Sequence, residues 1–218
     1  MKNKTLAIIP ARGNSKRLKF KNLKEFCGKP LLAWSIELAL ATPEIDKIIV
    51  SSEDKSILNY ATQYKDCDVR SRPSSLSLDK VSAFAVIKHI LKKTKNYSNV
   101  ILLQPTSPLR IKKDLIDALN ILDEKTPAVI SVCKVLHGSS FATMNYPGKN
   151  FKPINYNDDN IYIPNGAVYA AKSKWILEND SFYKEDVVTF EMPHERSIDI
   201  DYEYQFIMAE AIYNHTKS

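Results

Sequence analysis

Apolar residues along this chain alternate between two patterns. Short runs occur at Leu6–Ile9, Lys47–Ser51, Val100–Leu103 and Ala128–Val132, with a further candidate at Asp68–Ser71. Brief continuous runs of this kind read as strands buried on both faces. Between them, apolar residues recur at helical spacing. Pro30 opens a stretch containing Leu31, Leu32, Trp34, Leu38 and Leu40, closed by Pro43. Ser52 and Asp54 offer capping oxygens ahead of Ile57, Leu58, Ala61 and Tyr64. Asp79–Thr94 carries Val81, Phe84, Ala85, Ile87, Ile90 and Leu91; Ile111–Leu122 carries Leu115, Ile116, Leu119 and Leu122. Strands separated by helices imply βαβ units and a mostly parallel sheet covered on both faces, a three-layer α/β fold. Ligands of such sheets bind beyond the carboxyl ends of the strands. The segments after Ile9, Val50 and Leu103 therefore carry extra weight.

The pattern changes at residues 138–160, which are rich in Asn, Pro, Tyr and Ser. They predict loops and short hairpins protruding from an otherwise single domain spanning residues 1–218. Ala167–Ala170 and Val187–Phe190 resume strand character, and Tyr202–Asn214 predicts a closing amphipathic helix with Phe206, Ile207, Ala209 and Ile212.

Apolar residues make up 44% of the 218 and charged residues 26%, enough for a core and too apolar for disorder. No apolar run approaches the ~20 residues needed to span a bilayer, and the opening residues lack a signal-peptide pattern. Cys27, Cys67 and Cys133 are odd in number and widely spaced, neither a disulfide framework nor a metal cluster, so a reduced cytoplasm is expected. His89, His137, His194 and His215 form no metal spacing, and no Ser-His-Asp or Cys-His nucleophile arrangement is suggested. The formal charge of +6 suits an anionic partner. A non-enzymatic nucleic-acid module is the weakest reading, because no Lys/Arg-rich block is present.

Four segments carry candidate chemistry. Pro10-Ala11-Arg12-Gly13-Asn14-Ser15-Lys16-Arg17 follows the first strand and is trailed by Lys19, Lys21 and Asn22. Small residues there can turn amides toward a phosphate, with Arg12, Lys16, Arg17 and Lys21 supplying positive charge; the alternative is a solvated basic turn. Neither G-x-x-x-x-G-K-[ST] nor G-x-G-x-x-G occurs, which disfavours a Walker ATPase and a dinucleotide fold. Leu103-Gln104-Pro105-Thr106-Ser107-Pro108-Leu109-Arg110 runs from a buried strand into a loop stiffened by two prolines. Gln104 is placed to read a base or sugar, unless the loop merely connects and caps the next helix. Asp199 and Asp201 alternate along an extended segment, so both carboxylates share one side. Their repulsion suits a hard cation such as Mg²⁺, although Asp201 could also cap the last helix. In Pro164-Asn165-Gly166-Ala167-Val168-Tyr169, glycine inside a strand marks a ligand approach or a turn.

In order along residues 7–201, AIIPARGNSKRLKFKN, GKPLLAWSIELAL, IIVSSED, SRPSSLSLD, ILLQPTSPLR, PNGAVY and SIDID resemble the N-acylneuraminate cytidylyltransferase family. The resemblance implies a Rossmann-like nucleotidyltransferase domain with a small dimerisation element at 138–160. It implies an enzyme joining CTP to a nine-carbon α-keto acid sugar, sialic, legionaminic or pseudaminic acid, with release of pyrophosphate. Carried over by motif, Arg12, Lys21 and Asp201 are catalytic; Ala11, Arg12, Gly13, Asn14, Ser15, Lys21, Asn22, Arg72 and Ser82 bind nucleotide. Gln104, Asn165 and Tyr169 bind sugar, and Asp199 and Asp201 hold Mg²⁺, with Mn²⁺ as a substitute. A cytoplasmic homodimer, with no nucleic-acid or membrane partner, is expected. Residues 138–160 are short and lack Arg where the family helps hold the sugar carboxylate. The alternatives are a CMP-Kdo-type synthetase, or a metal-dependent glycosyltransferase using Asp199-Ile200-Asp201.

Overall fold

The computed structural model describes residues 3–13, 15–136 and 161–217. Asn14, His137 and the expected protrusion at 138–160 lie outside these residues.

Among the described residues, six α-helices and nine strands form in the order β1 (Thr5–Pro10), β2 (Glu25–Phe26), β3 (Lys29–Pro30), α1 (Leu31–Leu40), β4 (Lys47–Ser52), α2 (Lys55–Ala61), β5 (Cys67–Ser71), α3 (Ala83–Leu91), β6 (Asn99–Leu102), α4 (Lys112–Ile121), β7 (Ala128–Lys134), β8 (Tyr162–Lys172), α5 (Ser173–Glu178), β9 (Val187–Glu191) and α6 (Glu203–Lys217). Seven strands make one sheet, ordered β5-β4-β1-β6-β8-β7-β9. All neighbouring pairs are parallel except those of β8, which runs against both β6 and β7.

The predicted strands and helices are present, with shorter bounds for some helices. Residues 79–82 do not join α3; its first turn is capped by Ser82, whose hydroxyl accepts from the Ala85 amide. Asp54 caps α2 through the amides of Ser56 and Ile57. Two elements escaped the hydrophobic pattern because they are too short to show a period: the β2–β3 hairpin and α5. The hairpin turns on Cys27 and Gly28, both at positive φ, as a two-residue loop with the native twist demands.

The core has two main layers. Ile9, Val50 and Ile101 pack beneath Leu32 and Ile36 of α1, Ile57 of α2 and Leu115 of α4. On the other face Ile8, Ile49 and Leu102 meet Phe84 and Ile87 of α3 and Trp175 of α5. A third cluster joins α6 to the hairpin, with Phe26 edge-on to Trp34 and Phe206. From β1 the chain steps outward to β4 and β5, then returns to β6 on the opposite side of β1. This reversal opens a crevice at the carboxyl ends of β1, β4 and β6.

Candidate active site

The loop after β1 is tied down before it can hold anything. The Ala11 amide donates to Ser51 O (3.0 Å), so Ala11, fully buried, is not a free donor and does not line the crevice. The Gly13 amide donates to Glu53 Oε1 at 2.8 Å. A Cβ at Gly13 would lie 2.3 Å from Asp54 Oδ2 and 2.6 Å from Asp54 Cβ, so no larger residue fits against the α2 cap. Ser15 is buried, and the buried Asn22 donates from Nδ2 to Arg12 O (2.8 Å), closing the loop.

Glu53 is the hub of this corner. Its Oε2 accepts from Ser77 Oγ (2.5 Å) and Arg72 Nη2 (3.2 Å). Arg72 also donates to Ser77 Oγ and Ser51 O. Burial alone would raise the Glu53 pKa; the bonds from Ser77 and the backbone outweigh it and lower it. Arg72 lines the crevice while serving as a buried brace, and burial lowers its own pKa.

The crevice encloses about 280 Å³ and is lined by Arg12, Arg17, Lys21, Asn22, Arg72, Asp79, Gln104, Thr106, Asp199 and Asp201. Each cation has a carboxylate partner. Arg12 Nη1 and Lys16 Nζ lie 2.6 and 2.8 Å from the two oxygens of Asp79. Lys21 Nζ and Arg17 Nη1 lie 2.9 and 3.0 Å from those of Asp201. Lys21 is buried and also donates to Ile200 O (2.7 Å).

Both aspartates of Ser197–Asp201 face this crevice. The Ile200 amide donates to Thr106 O at 2.8 Å, stitching the segment to the loop after β6. Capping of α6 falls elsewhere: Gln205 Oε1 accepts from the amides of Asp201 and Tyr202 (2.7 and 2.8 Å), leaving the Asp201 carboxylate to Lys21 and Arg17. Asp199 is deeper, and its Oδ1 is a buried acceptor with no hydrogen-bond donor. Burial raises its pKa despite a hydrogen bond from Thr106. Among the described residues no three His, Cys, Asp or Glu side chains converge. Two carboxylates, one with an orphaned buried oxygen, nevertheless fit a Mg²⁺ that keeps waters and phosphate oxygens as its remaining ligands.

The sign of the Asp199 shift yields a prediction. A raised folded-state pKa means that ionised Asp199 costs stability at neutral pH, and that the cost disappears as pH falls through the raised value. Asp199→Asn in EDTA is expected to melt above wild type at pH 7.5. The gap should close as pH falls into the carboxylate range, as read by melting curves across pH.

Next to the crevice lies a second pocket of about 210 Å³, lined by Ser82, Phe84, Leu102, Gln104, Tyr169, Asp180, Phe182 and Tyr183 among others. Gln104 is shared by both spaces, and its Nε2 donates to Gly166 O (3.1 Å). Tyr169 lies in the apolar wall against Phe182, its hydroxyl 3.4 Å from that of Tyr183; burial raises its pKa. Ser82 therefore reaches the second pocket rather than the first.

Asn165 lines neither of these pockets. It is buried, accepts from Ser131 Oγ (2.5 Å) and the Ala167 amide, and donates to Ser197 Oγ (2.9 Å). These bonds hold a bulge at which the register with β7 shifts between Ile130 and Val132. Gly166 takes φ +75° there, within the strand and not in a turn between two strands. Arg110 braces the same bulge from below, donating to Ala167 O (2.6 Å) and Ser35 Oγ (2.5 Å); complete burial pushes its pKa down to about 9.

Several participants were not singled out from the sequence as site residues. Glu53, Asp79, Arg110 and Tyr183 reach the site or brace it only through tertiary contacts. Cys133 Sγ and His194 Nδ1 meet at 2.9 Å, a Cys-His contact 61 residues apart in the chain that spacing could not suggest. None of the three cysteines forms a disulfide.

A switch-point crevice rich in cations, with two carboxylates in its lining, on a mostly parallel α/β sheet, is suited to a nucleotidyltransferase. The cytidylyltransferase family model matches residues 6–217, and the chain belongs to that family. The N-acylneuraminate cytidylyltransferase of Escherichia coli O18:K1:H7 is 34% identical over 97% of this chain, which spans about half (52%) of that longer relative. The CMP-N,N'-diacetyllegionaminic acid synthase of Legionella pneumophila is also 34% identical, over 95% of both chains. A pseudaminic acid cytidylyltransferase of Campylobacter jejuni is 30% identical over 97% of this chain and 98% of its own. Among solved structures, a CMP:2-keto-3-deoxy-manno-octonic acid synthetase complexed with CTP shares the fold at TM-score 0.75 and 17% identity, covering 98% of this chain and all of that one. A 4-diphosphocytidyl-2C-methyl-D-erythritol synthase from Anaerococcus prevotii shares it at TM-score 0.71 and 17% identity, over 97% and 96% of the two chains. No described helix is long and apolar enough to cross a membrane.

Proposed function

We propose that the chain transfers CMP from CTP to a nine-carbon α-keto acid sugar, releasing pyrophosphate. One observation carries this reading. The cation-lined crevice and the pocket against Phe182 share Gln104, so a triphosphate and a polar sugar with apolar substituents can lie end to end. The full-length likeness to the Legionella enzyme, whose name specifies a diacetylated legionaminic acid, supports a nonulosonate acceptor.

The sugar hydroxyl attacks the α-phosphorus in line; its O–P bond forms, and its proton passes to solvent, as the bond to pyrophosphate breaks. Positioning and charge stabilisation supply the catalysis, with no covalent protein intermediate. Arg12 and Lys21 hold the triphosphate and stabilise the charge that grows on pyrophosphate. Gln104 orients the acceptor, and Tyr169 and Phe182 pack against it. Asp199 and Asp201 would hold Mg²⁺, which supplies Lewis-acid neutralisation of the phosphate oxygens when bound. Asn165 acts through the bulge. We take the chain to form one domain over 1–218 and to work in the cytoplasm, where CTP is made. It would act as a homodimer through 138–160.

The test is pyrophosphate release with Mg²⁺ and a panel of N-acetylneuraminate, N,N'-diacetyllegionaminate, pseudaminate and Kdo. Release from CTP, but not ATP, GTP or UTP, is expected with one nine-carbon sugar. Release with Kdo alone would move the chain to the sister activity, and release without any sugar would refute acceptor transfer.

The cradle also predicts a nucleotide effect. Asp79 occupies Arg12 and Lys16 where phosphate should sit, so Asp79→Asn is expected to lower the KM for CTP. The change should be about two- to fivefold, the scale of an exposed ion pair. Steady-state kinetics at low salt reads it.

A further inference from the structure

Asp201, the residue on which the metal reading most depends, has both oxygens in use. Lys21 takes Oδ1 and Arg17 takes Oδ2. These two cations are not equivalent. The Lys21 side chain is 7% exposed, and its ammonium is held a second time by Ile200 O. Moving it would leave a buried charge short of partners, which is costly. The Arg17 side chain is 47% exposed, and its guanidinium lies over the Tyr202 ring, 5.2 Å from the centroid. An exposed pair of this kind is worth little and is readily exchanged.

The neighbouring carboxylate completes the argument. Asp199 Oδ1 is buried and unpartnered, so the pair offers a hard cation one vacant oxygen and one oxygen guarded by an exposed arginine. A divalent ion settling between them would neutralise both carboxylates and repel the guanidinium. Arg17 already lines the crevice that would take the triphosphate. Its planar fork matches phosphate oxygens as well as it matches a carboxylate.

We infer that Arg17 is a displaceable counter-ion of the metal site: it competes with the divalent cation for Asp201 Oδ2 and, once displaced, joins the triphosphate cradle. Metal arrival and phosphate binding are then coupled through one side chain. The inference rests on Asp201 being a metal ligand, so its test must separate the two claims.

That test is Mn²⁺ binding to the nucleotide-free protein, followed by the electron paramagnetic resonance of the free ion. Arg17→Gln should bind Mn²⁺ about two- to fivefold more tightly than wild type, the worth of an exposed ion pair. The same variant should raise the KM for CTP, a split that loss of structure alone would not give. Asp201→Asn should bind Mn²⁺ at least ~10-fold more weakly, the lower end of what losing even an outer-shell partner costs a metal site. If Arg17→Gln binds no more tightly while Asp201→Asn is weakened, the competition is refuted and the Asp201 assignment stands. If Asp201→Asn binds as tightly as wild type, the assignment itself fails and the inference falls with it.

Discussion

Asp201→Asn is expected to lower kcat/KM for nucleotidyl transfer by about 10²–10³-fold, the scale of removing one preorganised stabilising group from a site. The substitution keeps the shape and removes one negative charge. That charge serves three partners: Lys21, Arg17 and the metal it would hold. With the charge gone, Lys21 keeps Ile200 O and a neutral amide oxygen in place of its counter-ion. The loss should fall mainly on kcat, because phosphate contacts from Arg12 remain. Stability should fall as well, because the buried Lys21 ammonium loses its counter-charge, although the Asp201 side chain is itself 31% exposed and caps no helix. Kinetics over a Mg²⁺ series, beside a melting curve, checks both parts. A variant with unchanged kcat at every Mg²⁺ concentration would remove Asp201 from the mechanism.

Gly166→Ala should be nearly as damaging, through geometry rather than charge. Gly166 sits at φ +75°, where a side chain costs about 1–2 kcal/mol. An added Cβ would also stand 3.2 Å from Asp199 Oδ2 and 3.6 Å from Gln104 Nε2. The bulge cannot yield freely, because Gln104, Arg110 and Asn165 hold it from three directions. Asp199 must therefore move by a few tenths of an ångström. A misplacement of ~1 Å can cost ~10²-fold in rate, so ~10²-fold is the upper bound on the expected loss. Urea unfolding should show the accompanying 1–2 kcal/mol. Loss of stability with activity intact would mean that Asp199 tolerates displacement, and so is not a close-fitting ligand.

The two predictions draw on parts of the molecule that differ in how openly the sequence shows them. The strands were legible because their apolar runs are continuous, and the crevice because ligand sites follow strand ends in such sheets. Asp199 and Asp201 were legible through alternation, and both do face one crevice. Asn165 was noticed but its work was not: its amide is spent on Ser131, Ala167 and Ser197, contacts that form only once β7 and β8 pair out of register. Glycine could be singled out at 166, yet whether it marked a turn or a bulge depended on that same register. Asp79 was read as the first residue of a helix. The capping hydroxyl of Ser82 instead starts α3 later and leaves Asp79 on a loop facing Arg12 and Lys16. Ion pairs between segments far apart in the chain leave no spacing to read. Glu53, whose partners Gly13, Arg72 and Ser77 lie on three segments, shows the same limit.

The most direct test of the central claim is to identify the product. CTP, Mg²⁺ and N,N'-diacetyllegionaminate or N-acetylneuraminate would be incubated with the full chain, and the mixture resolved by mass spectrometry with pyrophosphate counted alongside. The account predicts a CMP–sugar ester formed in equal amount to pyrophosphate, and none from Asp201→Asn over the same time. CTP consumed without a sugar ester, or an ester formed equally well by Asp201→Asn, would contradict it.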